Sequence, residues 1–186
     1  MYGLVNQAVR KLILHEHGPE TWATIRRQAG CEDDDFVTMH PYPDELTYAL
    51  VEAASAVLGA PPEAILREFG RYWVRFAAET AYGHLMKAAG NSVRDFLANL
   101  DHLHARVGLS FPELRPPQFR VIPEGPDQIR LQYFSERAGL APFVIGLVEG
   151  LGQRFHESIQ VSLATPRDQD HACDEFLVTF AASASG

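Results

Sequence analysis

Phe119-Arg-Val-Ile-Pro-Glu-Gly-Pro-Asp-Gln-Ile-Arg-Leu-Gln-Tyr-Phe-Ser-Glu-Arg137 reads as two strands around a turn. β-branched, aromatic and aliphatic residues fill Phe119 to Ile122 and Ile129 to Ser135. The Pro123-Glu-Gly-Pro-Asp127 between them is turn chemistry. The period of two along a strand puts Ile129, Leu131, Tyr133, Ser135 and Arg137 on one face. Ile129 and Leu131 predict that this face is half buried. Its far end then aligns two hydroxyls and a guanidinium fork, a good clamp for one or two carboxylates or a phosphate. The plainer alternative is an exposed polar strand face.

Outward from the hairpin the texture differs on the two sides. Upstream, 109–117 holds three prolines and predicts no regular element. Before that the apolar spacing is helical. Leu4, Val5, Ala8, Val9, Leu12 and Ile13 share one helix face over 3–17. Gly18 stops that helix, and Pro19 starts another that ends at Gly30. A solvated acidic run, Glu32 to Asp35, follows. A third helix is predicted over about 43–58, a fourth from Pro61-Pro62 with a stripe of Ile65, Phe69, Trp73 and Phe76, and a short one over 82–89. Ser92 caps a further helix, with Asp95 three residues on, that runs to about Val107. Downstream, Pro142 opens a helix to about Phe155. Ile159, Val161 and Leu163 alternate, as do Phe176, Val178 and Phe180, around a polar loop over 165–174. The order is about six helices, then ββαββ, which predicts an α+β fold with an antiparallel sheet. The tail 181–186 reads as a frayed end or the cut end of a longer chain.

The sequence Leu100-Asp-His-Leu-His-Ala-Arg-Val107 carries two histidines that helical spacing separates. His104 shares a face with Phe96, Leu97, Leu100 and Val107, and His102 with Asp95, Ala98, Asn99 and Arg106. His104 therefore points inward and His102 toward water. An inward imidazole needs a hydrogen-bond partner or a metal, and a satisfied core histidine is the plainer of those readings. Gly146 and Gly150 fall on one face of the helix after Pro142 and predict something flat or close-packed against it.

Composition narrows the class. The chain has 186 residues, with 16 Lys+Arg against 24 Asp+Glu and a net charge of −8. That balance argues against nucleic acid and anionic membranes as partners. A chain of this length buries roughly 70% of its unfolded surface and needs no disulfide to fold. Cys31 and Cys173 are the only cysteines, far apart in sequence, and read as reduced thiols. No uncharged run approaches the roughly 20 residues of a membrane helix, and the first residues do not read as a signal peptide. The expected location is cytoplasmic. There is no Gly-rich phosphate loop, GxSxG elbow or HExxH motif.

These elements together resemble the H-NOX family, the haem-nitric oxide/oxygen binding fold found in soluble guanylate cyclase and in stand-alone bacterial gas sensors. Met1-Tyr-Gly-Leu-Val-Asn6, Tyr42-Pro-Asp-Glu-Leu-Thr-Tyr48, Phe69-Gly-Arg-Tyr-Trp73, Leu114-Arg-Pro-Pro-Gln-Phe-Arg120 and Gly139-Leu-Ala-Pro-Phe-Val-Ile-Gly146 carry the resemblance, in order, from Met1 to about Phe180. It implies one haem-binding domain over 1–186. Within it a helical lobe covers about 1–60 and an α/β lobe about 61–181, with haem b between them.

Carried over position by position, the resemblance places His104 as the proximal iron ligand. Tyr133, Ser135 and Arg137 become the propionate clamp, and Pro117 the proline that distorts the porphyrin. Val5, Val9, Trp73 and Phe143 fall on the distal side. It implies a sensor of nitric oxide and carbon monoxide rather than an enzyme. The mechanism it implies is that nitric oxide breaks the bond to His104, the porphyrin relaxes against Pro117, and the N-terminal helices shift. A histidine kinase or cyclic-di-GMP enzyme is the implied protein partner. Phe143 stands where oxygen-binding members carry tyrosine, and Gly139 where zinc-binding members carry cysteine, so no zinc site is expected. The alternatives are a peroxidase-like haem enzyme and a haem-free interaction module.

Overall fold

A computed structural model describes residues 1–31 and 35–181. The acidic run at Glu32 and the tail 182–186 fall wholly or mostly outside the described residues. Among the described residues, seven helices and four strands run in the order α1 (Gly3–Gln28), α2 (Asp44–Leu58), α3 (Pro62–Glu79), α4 (Gly83–Ala88), α5 (Val93–Ala98), α6 (Leu100–Gly108), β1 (Gln118–Pro123), β2 (Gln128–Phe134), α7 (Ala141–Phe155), β3 (Ile159–Thr165) and β4 (Asp174–Phe180). The fold is α+β, as the order of the patterns predicts.

Helix α1 kinks where the sequence marks a break. Gly18 sits at φ 81°, a conformation that favours glycine, and Pro19 resumes the helix. Its Ala8, Val9, Leu12 and Ile13 pack with Leu50 of α2 and with Phe69 and Phe76 of α3 in one apolar cluster. A second cluster lies over the sheet. It joins Val74 of α3, Phe96 and Leu97 of α5, Leu100 of α6 and Val144, Val148 and Leu151 of α7 to Ile129, Leu131, Phe176 and Val178. Helix α3 thus contributes to both clusters.

The sheet is antiparallel throughout, in the order β1-β2-β4-β3. Leu131 of β2 lies between Val121 of β1 and Phe176 of β4. Along β2 the inward residues Ile129, Leu131 and Tyr133 are buried. On the other face Arg130 and Gln132 bond the Glu175 carboxylate at 2.9 and 2.7 Å. The expected alternation holds as far as Phe134.

Two local expectations change. The helix capped by Ser92 does not run unbroken to Val107. The Ser92 hydroxyl accepts the Asp95 N–H at 3.1 Å as expected, but Asn99 separates α5 from α6. Its side-chain amide donates to the carbonyls of Ala89 and Asp95, each at 3.0 Å. A side chain that competes for backbone acceptors in this way interrupts a helix.

The second change concerns the clamp, because β2 ends at Phe134. Ser135 and Arg137 lie in the following turn rather than on a strand face. The Ser135 hydroxyl accepts the Arg137 N–H at 3.1 Å, a turn closure that takes the chain out of the ladder.

The helix after Pro142 is close-packed, as its glycines predict. A Cβ at Gly146 would collide with the carbonyl of Arg67 on α3, and one at Gly70 with the carbonyl of Phe143. The Glu149 carboxylate accepts from both Arg67 and Arg71 across this seam, Arg71 Nε at 2.9 Å. Among the described residues no single helix is long and apolar enough to cross a membrane.

Candidate functional site

A cavity of about 330 Å³ opens where α1, α2, α3, α6, α7 and the first two strands converge. Its wall is largely apolar, and polar groups gather at one end, the usual form of a small-molecule site. Val5, Phe69, Trp73, Phe143 and Val144 line it from α1, α3 and α7. His104, Val107, Pro117 and Phe119 line it from α6 to β1.

His104 reaches this cavity because of its position on a short amphipathic helix. Leu100 is buried, Leu103 and Val107 are half-buried, and His102 is exposed. The break at Asn99 disturbs the count back to Phe96 and Leu97, but the phase within α6 suffices to turn His104 inward. Its ring lies 6.2 Å from that of Phe119, which lies 5.2 Å from that of Tyr133. Burial lowers the His104 pKa, against the opposing effects of Asp101 and a hydrogen bond to the Pro117 backbone. The imidazole is therefore neutral at pH 7. Its Nδ1 is buried and has no hydrogen-bond partner among the described residues. A neutral ring with a buried nitrogen lone pair to spare has the electronic form of a metal-ligating histidine.

Tyr133, Ser135 and Arg137 gather at the polar end and all line the cavity. Burial raises the Tyr133 pKa, partly offset by its hydrogen bond to Ser135. The Arg137 guanidinium is held on three sides. Nε donates to Asp44 Oδ2 at 2.7 Å, one terminal nitrogen to Asp44 Oδ1 at 3.3 Å, and the other to the Arg115 carbonyl at 3.0 Å. Asp44 also accepts from the Met1 ammonium. Burial works to raise the Asp44 pKa, but the bonds and charges of Arg137 and Met1 outweigh it and the net shift is downward. The Tyr48 hydroxyl donates to the Ala138 carbonyl at 3.1 Å and fastens the clamp turn to α2.

Eight of the nine predicted site residues line this one cavity: His104, Pro117, Tyr133, Ser135, Arg137, Val5, Trp73 and Phe143. Val9 does not. One helical turn beyond Val5, it is buried in the cluster of α1, α2 and α3. Sequence reasoning missed Phe69, Thr47 and Tyr48 as lining residues and Asp44 as the partner of Arg137. Phe69 lay on a stripe read only as core, and Asp44 is 93 positions from Arg137. Cys31 and Cys173 are both buried. Among the described residues no group of three or more His, Cys, Asp or Glu side chains is placed to hold a metal ion.

The family model described as Haem-NO-binding matches residues 2–163. The chain belongs to the Haem-NO-binding family. Its curated relatives include Soluble guanylate cyclase gcy-35 of Caenorhabditis elegans, 29% identical over 177 residues, which are 92% of this chain and 25% of that protein. Soluble guanylate cyclase gcy-37 of the same organism is 32% identical over 160 residues, covering 84% and 23%. Soluble guanylate cyclase 89Db of Drosophila melanogaster is 28% identical over 156 residues, covering 84% and 23%. The chain spans about a quarter of the length of these relatives.

Among solved structures, an H-NOX protein from S. oneidensis in the Fe(II) ligation state, a mutant, superposes with a TM-score of 0.88 at 18% identity. The match covers 100% of this chain and 98% of that one. An H-NOX protein from S. oneidensis in the Fe(II)NO ligation state gives 0.85 at 19%, covering 98% and 100%. At those identities the likeness concerns the fold. The Haem-NO-binding chain described here thus shares the fold of H-NOX proteins and is similar in sequence to about a quarter of each of these soluble guanylate cyclases.

Proposed function

We propose that this member of the Haem-NO-binding family is a haem-based gas sensor that takes nitric oxide and carbon monoxide and is not itself an enzyme. The observation that carries the reading is the His104 ring, with a buried unpartnered nitrogen, at a largely apolar cavity that Arg137 also lines. These groups fit the family's cofactor. His104 supplies one nitrogen donor to iron. Arg137, with the hydroxyls of Tyr133 and Ser135, supplies donors to propionates. The apolar wall would cover the rest of the macrocycle. Haem b is the form proposed, and when bound it supplies a ferrous iron with a free position for a diatomic gas.

The chain's own residues then do four things. His104 would hold iron from α6. Arg137 trades its bonds to Asp44 for carboxylate oxygens, or shares itself between them. Pro117, rigid in φ, presses on the cavity from the segment entering β1. Val5, Phe69 and Phe143 keep water out and offer no hydrogen bond to a bound gas. Val5 on α1 and His104 on α6 line the same cavity, so a group bound between them would touch both helices. That gives a ligand a way to bias the fold between two arrangements.

The domain division read from the sequence is retained as a proposal: helical lobe 1–60, α/β lobe 61–181. A histidine kinase, a cyclic-di-GMP enzyme or a cyclase region like those of the relatives is the class of partner that would read such a shift. A peroxidase-like reading lacks an acid-base side chain among Val5, Phe69, Trp73 and Phe143. The test is the visible absorption spectrum of the purified, reduced protein. A haem Soret band that moves on adding nitric oxide supports the reading. A protein that folds fully but takes up no haem from solution overturns it in favour of an interaction module.

A further inference from the structure

The clamp turn is held from behind by a residue of the loop between β3 and β4. Arg167 stands two positions past the end of β3. One terminal nitrogen of its guanidinium donates to the Arg137 carbonyl at 3.1 Å and the other to the Ser135 carbonyl. Its own backbone N–H donates to Asp174 Oδ1 at 2.8 Å, at the first residue of β4. The loop beyond it is knit locally. Asp168 accepts the backbone N–H groups of Asp170 and His171 and contacts the His171 ring, each at 2.9 Å. The arginine therefore reaches the clamp from a fixed base.

We propose that Arg167 is a positioning residue for carboxylate binding: its planar fork spans the carbonyls on either side of the clamp turn and sets the aim of Ser135 and Arg137.

Two physical points support this. Residues 135–137 lie outside the sheet ladder, so no strand partner fixes their backbone. Their two carbonyl dipoles, left bare beside an anion site, would repel a carboxylate. Arg167 takes up both and adds a second positive charge, felt at the buried Tyr133 hydroxyl. Only a guanidinium makes this bridge, because lysine is a point donor without the fork. In the sequence Arg167 is an unremarked residue of a polar loop, 30 positions from Arg137.

The inference rests on the haem reading and is tested by comparing haem with haem dimethyl ester, which has the same macrocycle without ionisable carboxylates. Dissociation of each into excess apomyoglobin is timed for the unmodified protein, Arg167→Ala, Arg167→Lys and Arg137→Ala. Thermal unfolding of each apoprotein is followed by circular dichroism. Loss of charge-assisted bonding predicts that Arg167→Ala reduces the preference for haem over the ester about tenfold while ester retention changes less than about twofold. Arg167→Lys restores little of the preference.

Equal weakening of haem and ester in Arg167→Ala, or an unchanged preference, overturns the proposal. If Arg137→Ala also leaves the preference unchanged, the clamp reading itself fails, whereas a loss in Arg137→Ala alone sinks only the role of Arg167. Should Arg167→Ala not fold, Arg167→Lys and Arg167→Gln decide on the same ratio.

Discussion

Arg137 and Asp44 form a two-point ion pair, Nε to Oδ2 at 2.7 Å and a terminal nitrogen to Oδ1 at 3.3 Å, between the turn after β2 and the first turn of α2. The same guanidinium is the strongest carboxylate donor at the cavity's polar end. A carboxylate-bearing ligand and the Asp44 side chain therefore want the same group. The pair also joins the half of the chain that carries the sheet to the half that carries α1 and α2, so ligand binding at Arg137 bears on how the two halves are tied.

The pair gives a pH prediction for the apoprotein. The folded Asp44 pKa lies below its ordinary value: burial alone would raise it, and Arg137 and Met1 bring it down. A depressed carboxylate stabilises the fold above the ordinary aspartate value of about 3.9, and that contribution is lost as pH falls through the lower folded value. Asp44→Asn should therefore lower the stability at pH 7 by about 1 kcal/mol, the scale of a partly exposed pair in a small network. The difference should shrink as pH falls from the ordinary aspartate value of about 3.9 toward the lower folded value. Urea unfolding of both proteins from pH 7 to 3 checks this, and a difference that is constant with pH excludes an ionised Asp44 as the cause.

His104 and His102 should separate cleanly by mutation. His104 is inward with a spare nitrogen, and His102 is exposed. His104→Gly leaves haem held by packing and the clamp alone, and added imidazole restores a nitrogen donor and its Soret position. His102→Gly leaves the spectrum as it was. The reverse behaviour would show that the α6 register has been misjudged.

Within the clamp the charged member should matter most. A hydrogen bond to a charged group contributes roughly 1.5–3 kcal/mol, about twice a neutral one. Arg137→Ala should then shorten haem retention against apomyoglobin by roughly tenfold or more, and Ser135→Ala by less. Ser135 has a second role, since its hydroxyl closes the turn on the Arg137 N–H. Its loss should therefore also broaden the distribution of haem off-rates. Identical retention in the two variants contradicts the assignment.

How much of this was legible beforehand follows from the range of each interaction. The hairpin, the Gly18–Pro19 break, the inward His104 and the close face at Gly146 all come from periodicity or turn chemistry within a few residues, and each appears in the structure. The break at Asn99 depends on a side chain choosing two carbonyls, which periodicity does not register. Tyr133, Ser135 and Arg137 do line one cavity, but Ser135 and Arg137 lie past the end of the strand. A period of two was carried past Phe134, where the Ser135 hydroxyl had already turned the chain. Asp44 and Arg167 escaped notice because their partners at Arg137 lie 93 and 30 positions away. The displacement of Val9 from the cavity reflects one helical turn of α1, enough to move a side chain from the cavity wall into the neighbouring cluster.

Gas selectivity is the most demanding consequence of the cavity wall. Dioxygen on ferrous iron gains from a nearby hydrogen-bond donor because it draws electron density and becomes partly anionic, whereas nitric oxide binds tightly without one. Val5, Phe69 and Phe143 line the cavity and carry no donor. Beside these three on the wall formed by α1, α3 and α7, Trp73 carries an indole N–H, and its ring packs in an aromatic cluster 6.2 Å from Phe69 and 5.9 Å from Phe76. That packing holds Trp73 as a wall residue. The reduced protein should therefore take nitric oxide and carbon monoxide and retain no dioxygen in air. Phe143→Tyr places a hydroxyl on the first turn of α7, and one added hydrogen bond contributes about 1 kcal/mol, more in a dry cavity. Its oxygen affinity should rise by about fivefold or more without disturbing nitric oxide binding. Spectra of the reduced proteins after exposure to air decide it. A persistent oxygen-bound spectrum in the unmodified protein would make Trp73 the donor, and Trp73→Phe would then abolish it.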